Sequence, residues 1–280
     1  MVLDPVESMT TAANPLVVAC LQSEGVPGDV DANISALDDH AAQASTSGAH
    51  LLITDEMFVS GYDCGAIEHV VDDSTVTERL REIARRHRIA LLVGMPERLP
   101  SGGIGNCAVF LGDDGERLAR HTKSHLYGSI DKDRFEAGDR PFTLVDYRGV
   151  RVAIMICFDV EFPENPRAAA LAGADLIAVP TANMKPYDGI NEHLLWTRAW
   201  ENQTHVAYVN HCGTEGSTHY VGRSIVVAPD GEVLATAGAV EALLITTIDP
   251  SRVAAARRGF SYLAERRPAL YTDLHDHTQR

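Results

Sequence analysis

The sequence predicts an α/β protein: a four-layer α-β-β-α sandwich of two mixed sheets with an internal pseudo-twofold repeat. Three observations lead there. Apolar runs of strand length alternate with stretches of helical periodicity along most of the chain. The order strand, helix, strand, helix, strand, hairpin occurs once before "DYRGV" at 146–150 and once after it. Sheets fed by crossover helices on one side need an apolar partner on the other, and a second sheet supplies it. The two halves share little sequence, so the repeat lies in the pattern.

The elements follow in order. "PLVVACLQ" is a strand, and "DVDANISALDDHAAQASTSG" a helix with Asp29 or Asp31 as N-cap and Gly48 as its stop. "AHLLITDE" is the second strand. "STVTERLREIARRHR" is an amphipathic helix whose apolar stripe is Val76, Leu80, Ile83 and Ala84. "IALLVGMPER" is a strand, and "NCAVFLGDDGERLARHTK" folds as a hairpin about its Gly-Asp-Asp-Gly turn. The second half opens with the strand "RVAIMICF". The helix "PENPRAAALAGA" follows, with proline near its first turn. Strand "DLIAVPT", helix "NEHLLWTRAWENQTH", strand "VAYVNHCG" and a hairpin about Pro-Asp-Gly in "GRSIVVAPDGEVLATAG" complete the plan. Residues 1–13 read as a loose leader, 14–267 as one domain and 268–280 as a tail, with "YTDLHDHTQR" an exposed arm or partner-binding segment.

Composition narrows the function. The 280 residues are 45% hydrophobic and 22% charged, an ordinary soluble profile with ample material for a core. The formal net charge of -15 argues against nucleic acid and offers no polybasic segment to a membrane. No apolar run approaches a membrane span, and the acidic, polar start has no signal-peptide pattern. Five scattered cysteines without a CxxC pair fit a cytoplasmic protein, and speak against a disulfide framework or a zinc knuckle.

Three reactive side chains stand where strands hand over to loops: Glu56 after "LLITD", Lys123 after the first hairpin, and Cys157 after "RVAIMI". Singly, each has an ordinary reading, as a core cysteine or a surface charge. Together they make a set for acyl transfer. A carboxylate takes the thiol proton, the thiolate attacks a carbonyl carbon, and an ammonium faces the developing oxyanion.

The wording around them is more specific. "LLITDEMFVSGY", "KSHLYG" and "ICFDVEFPE", in this order, resemble the three signatures of the nitrilase, or carbon–nitrogen hydrolase, superfamily, and the resemblance runs from about Leu16 to Arg267. It implies Glu56 as general base, Lys123 as the oxyanion-side cation, Cys157 as nucleophile with the Phe158 N–H as a second oxyanion donor, and no metal or organic cofactor. The family usually has a glutamate four residues before a phenylalanine after the lysine. In "GSIDKDRFEAGD" that place is held by Asp131, shorter by one methylene, with Asp133 and Glu136 as rivals.

The resemblance is greatest to the small amidases, including the 5-aminopentanamide-type and stereoselective carboxamide enzymes. Nitrile-cleaving members typically have Trp-Glu after the nucleophile, where this chain has Phe158 and Asp159. Relatives acting on substrates with a free carboxylate often carry arginine at the position of Glu161. A carboxylate there either faces a substrate's distal ammonium or pairs with Arg167 or another nearby cation. Tyr62, Asn183 and Met184 are further pocket candidates on the same rim. Trp196 and Trp200, one helical turn apart, are core or a self-association face; the resemblance implies a homodimer or higher homo-oligomer. The expected activity is hydrolysis of a small aliphatic, including amino-, carboxamide through a cysteine thioester. The alternatives are an N-carbamoyl amine amidohydrolase and a non-catalytic interaction protein on the same scaffold.

Overall fold

A computed structural model describes residues 14–272. In the first half, strands β1 (Leu16–Gln22), β2 (Leu51–Ile53) and β3 (Ala90–Arg98) lie parallel, and β4 (Ile104–Leu111) and β5 (Arg117–Thr122) continue the sheet antiparallel. Helices α1 (Val30–Thr46) and α3 (Ser74–His87) make the crossovers, with the short α2 (Glu68–Val71) between them and α4 (Gly128–Lys132) after β5. The second half repeats the plan. The strands are β6 (Thr143–Tyr147), β7 (Val150–Ile154), β8 (Leu176–Thr181), β9 (His205–Asn210), the small hairpin β10 (Thr214–Glu215) and β11 (Thr218–His219), then β12 (Ile225–Val227) and β13 (Val233–Thr236). Helices α5 (Glu164–Leu171) and α6 (Leu195–Asn202) cross over, and β14 (Ala242–Ile248) and α7 (Pro250–Gly259) close the chain.

Both sheets have six strands, in the orders β14-β1-β2-β3-β4-β5 and β6-β7-β8-β9-β12-β13. Each has a parallel centre flanked by antiparallel edges, which is the pseudo-twofold relation as hydrogen bonding. Strand period explains the layers. In β1, Val18 and Cys20 face the second sheet and pack with Val152, Ile154, Leu176 and Val209; Ala19 and Leu21 face out to Ile34 and Leu37 of α1 and Leu80 and Ile83 of α3. On the far side Ala153, Ile177 and Val206 meet Ala169, Leu195 and Ala199 of α5 and α6. Central strands buried on both faces read as continuous apolar runs, which is why the sequence displays them so plainly.

Asp29, not Asp31, caps α1, accepting from the Ala32 N–H at 2.9 Å. Residues 242–259, given no element from the sequence, are β14 and α7, the latter capped by Asp249 with Pro250 in its first turn. β14 lies at a sheet edge with one half-exposed face, so its apolar alternation is diluted by threonines. β2 and β7 also stop short, at Ile53 and Ile154, which leaves Glu56 and Cys157 on the loops beyond. Trp196 and Trp200 are not core: they are 41% and 38% exposed and stack at 5.3 Å between ring centroids. The leader reading of 1–13 lies outside the described residues, as does most of the arm at 271–280. Among the described residues no helix is long and apolar enough to cross a membrane.

Candidate active site

Parallel pairing brings the three reactive groups together, because β2 and β7 both deliver their C-terminal ends to the seam between the sheets. After Ile53 the chain crosses over β3 at Gly94. A Cβ on Gly94 would lie 2.3 Å from the Asp55 carbonyl oxygen and 2.6 Å from the Met57 nitrogen, so only glycine admits the loop carrying Glu56. Lys123 directly follows β5. Its carbonyl accepts from the Gly138 N–H at 2.8 Å, and a Cβ on Gly138 would strike the Thr122 oxygen at 2.2 Å. Cys157 opens a 3-10 turn, Cys157–Glu161, with φ at +46°, a left-handed conformation that costs a non-glycine residue about 1–3 kcal/mol.

The polar centre is buried and closely hydrogen-bonded. Lys123 Nζ donates to Glu56 Oε1 at 2.7 Å and to Asp131 Oδ2 at 2.6 Å, and both side-chain pairs are buried. Glu56 Oε1 also accepts from Asn106 Nδ2 at 2.7 Å, and its Oε2 from the Ala182 N–H at 2.9 Å. Asp131 Oδ1 accepts from the Tyr62 hydroxyl at 2.8 Å, and its Oδ2 also takes the Tyr127 N–H at 2.9 Å. The shorter carboxylate thus reaches the lysine. Its sequence rivals do not: Asp133 and Glu136 are exposed, and Glu136 is engaged by Ser101.

Burial sets the protonation states. It pushes the Glu56 carboxyl up, against the pull of the Lys123 charge. Burial opposes the Lys123 ammonium, but Glu56 and the other acidic groups around it, Asp131 included, outweigh this and raise it well above the ordinary lysine range. The Cys157 thiol is raised well above its usual value, first by burial and then by the Glu56 charge. The resting centre is therefore a neutral thiol beside an ionised lysine and a carboxylate whose basicity is enhanced. Raising Glu56 makes it a stronger base, while the raised thiol keeps its proton until sulfur attacks.

Above the thiol lies a cavity of about 100 Å³, lined by Tyr62, Tyr127, Cys157, Phe158, Glu161, Ala182, Asn183, Met184 and Tyr187. Every pocket residue proposed from the sequence reaches it, but in different capacities. Tyr62 is a wall whose hydroxyl is spent on Asp131. Asn183 spends its amide hydrogens on the Tyr187 carbonyl and on Asn191, bracing the loop. Glu161 has no hydrogen bond or ion pair to its carboxylate among the described residues; Arg167 instead donates to the Glu201 carbonyl, and Arg198 donates to the Val160 carbonyl, the Glu201 carboxylate and, of Glu161, the backbone oxygen alone. Burial raises the Glu161 carboxyl to about 7, despite Lys123 and Arg198. Sequence reasoning missed Asn106, Tyr127 and Tyr187. Asn106 had a signal, as a polar residue inside the otherwise apolar β4. Tyr187, whose hydroxyl meets that of Tyr127 at 2.8 Å, had none.

Known proteins place this geometry. The carbon-nitrogen hydrolase family profile matches residues 17–258. A "hydrolase in pqqF 5'region" of Pseudomonas protegens is 43% identical over 262 residues, covering 92% of this chain and 91% of the relative. An (R)-stereoselective amidase of a Pseudomonas species is 33% identical, covering 93% and 94%. Among solved structures, an amidase from Nesterenkonia sp. AN1 in complex with butyramide superposes with a TM-score of 0.83 at 36% identity, covering 94% of this chain and 97% of that one. A mutant of the same amidase, with the acetamide moiety of fluoroacetamide added covalently at its active-site cysteine, gives 0.84 at 35% identity. With the whole-length match and the fold in agreement, the chain belongs to the carbon–nitrogen hydrolase family of the nitrilase superfamily, as an enzyme of its amidase type.

Proposed function

We propose that this enzyme hydrolyses a small aliphatic carboxamide to its acid and ammonia, through a thioester on Cys157. The observation that carries the reading is the buried Cys157 thiol lining a cavity of about 100 Å³, beside the Glu56–Lys123–Asp131 cluster. The substrate carbonyl enters over Cys157. Glu56 accepts the thiol proton as sulfur attacks carbon, and Lys123 with the Phe158 N–H stabilises the oxyanion. The tetrahedral adduct collapses as Glu56 returns the proton to the leaving nitrogen, and ammonia departs. Glu56 then takes a proton from water, the hydroxide attacks the thioester, and the acid leaves with the proton returned to sulfur. Asp131, tethered by Tyr62 and the Tyr127 N–H, fixes where Lys123 points.

A cavity of about 100 Å³ suits a short acyl chain. The acidic group in its wall is Glu161, whose neighbours in the lining include the rings of Phe158, Tyr127 and Tyr187. A carboxylate among aromatic rings suits a distal ammonium, so short amino-amides are the favoured substrates. We further infer a homodimer or higher homo-oligomer, formed through the outward Trp196–Trp200 face. The primary test is ammonia release across amino-amides, neutral amides such as butyramide, N-carbamoyl amines and nitriles. Amides should be the class turned over, and Cys157→Ala should abolish that turnover with the circular-dichroism spectrum unchanged. Substantial residual hydrolysis in that variant removes Cys157 as the nucleophile.

A further inference from the structure

Asp159 is completely buried two residues after Cys157, and nothing in the mechanism above uses it. Its two oxygens face different parts of the site. Oδ1 accepts from the segment that follows Lys123: the Ser124 N–H at 3.1 Å, the Ser124 hydroxyl at 2.8 Å, the His125 N–H at 2.8 Å and His125 Nδ1 at 3.0 Å. Oδ2 accepts from the Ile156 N–H at 3.0 Å, immediately before the nucleophile, and from His121 Nε2 at 3.1 Å. A carboxylate only accepts, so both imidazoles turn a hydrogen toward it. The Asn165 amide holds the Asp159 carbonyl at 2.8 Å, which fixes the turn from its other side.

Lys123 comes from the first half of the chain and Cys157 from the second, on two sheets whose strands do not pair with each other. Cys157 also sits in a left-handed conformation, which persists only where its surroundings hold it. We propose that Asp159 is a positioning residue that couples the lysine-bearing segment to the nucleophile turn, Oδ1 holding the residues after Lys123 and Oδ2 the Ile156 N–H together with His121 of β5, and so sets the Lys123–Cys157 geometry. Resting on the amidase reading only for its kinetic assay, the role has a chemical signature. Asparagine has the same shape but a single acceptor oxygen, and its NH2 must then face N–H donors on one side or the other. Only a carboxylate serves both.

The test compares wild type with Asp159→Asn, Asp159→Glu and the double variant Ser124→Ala/His125→Phe, on butyramide, per mole of folded protein. The phenyl ring of the double variant preserves the stack of His125 on Phe162, 4.0 Å between centroids, while removing two of the ties to Oδ1. Misplacement of a catalytic group by about 1 Å costs about 100-fold in rate. Asp159→Asn should lose about that much kcat with KM within roughly threefold, and Asp159→Glu should recover about tenfold of it. The double variant should lose about tenfold. A purely structural role would lower the melting temperature and leave kcat per folded molecule within roughly threefold of wild type, and that result overturns the proposal. Should Asp159→Asn fail to fold, the double variant decides on the same criterion. Should wild type hydrolyse no amide, the amidase reading fails separately, and the rate of Cys157 alkylation by iodoacetamide, read by peptide mass spectrometry, decides: slower in the double variant supports positioning, unchanged overturns it.

Discussion

At the scale of single residues, the proposed preference for an amino-amide rests on Glu161. Its carboxyl is raised to about 7, chiefly by burial, so it is part neutral and part ionised near neutral pH. An ammonium favours the ionised form. KM for an amino-amide should therefore fall as pH rises through about 7, while KM for butyramide stays flat. Glu161→Gln should erase that pH dependence and raise KM for the amino-amide about tenfold, the value of a part-exposed charge pair, with less than about a twofold effect on the neutral amide. Equal effects on both substrates would take Glu161 out of recognition. The same residue shows what sequence could not decide: pairing with Arg167 and facing the cavity were both open, and only the path of Arg167 to the Glu201 carbonyl separates them.

Among the elements, the deciding contact is a backbone crossing. The Glu56 loop lies on β3 at Gly94, close enough that an added methyl meets three backbone atoms of residues 55–57, the farthest at 2.9 Å. Backbone cannot swing away as a side chain can. Gly94→Ala should therefore lower stability by about 1–3 kcal/mol, as overpacking does, and depress kcat more than tenfold by shifting Glu56 (~1 Å being enough). Thermal melts and kcat on the same preparation check both; a variant with wild-type kcat would mean that the loop tolerates displacement. β14 makes the complementary point. It completes the first sheet as β6 completes the second, yet comes from the opposite end of its half. A half-exposed edge strand has a weak apolar pattern, so periodicity alone passed over it.

For the whole molecule, the buried His205 should contribute a loss of stability on the acid side, opposed over much of the same range by Glu161, whose raised carboxyl takes up a proton in the folded state. His205 begins β9 fully buried, with Nδ1 on the Asp175 carbonyl at 3.0 Å and no hydrogen-bond partner for Nε2 among the described residues. Burial lowers its pKa to about 4, whereas the unfolded chain protonates it near 6.5. Between these values the unfolded state binds more protons. The contribution is therefore complete above about pH 6.5 and is lost as pH falls toward 4, amounting to about 3 kcal/mol. Asp159 adds a further loss at lower pH. Burial opposes its charge, but the hydrogen bonds from His121, His125 and Ser124 hold its carboxyl well below the carboxylate range. In denaturant melts from pH 7 to 4, the stability of wild type relative to His205→Gln should fall by about 3 kcal/mol as pH drops from 6.5 to 4; a difference that does not change with pH would remove His205 from the acid response. Separately, Trp196→Ala/Trp200→Ala should shift the protein to monomer on size-exclusion chromatography with light scattering; unchanged mass would clear that face of a role in assembly.

The sequence by itself determined the layered α/β plan, because strands buried on both faces must be apolar throughout and the helices between them must be apolar on one stripe. It also marked Glu56, Lys123 and Cys157, since each stands in a short, distinctive stretch at a strand's C-terminal end. Tertiary structure alone decided which carboxylates serve the lysine, that the Glu161 carboxylate in the cavity has no partner among the described residues, and that Asp159 binds two loops at once. Those outcomes depend on distances between residues far apart in the chain. No local periodicity encodes them; they exist only where parallel strand register and a glycine crossing bring the loops of two sheets to one seam.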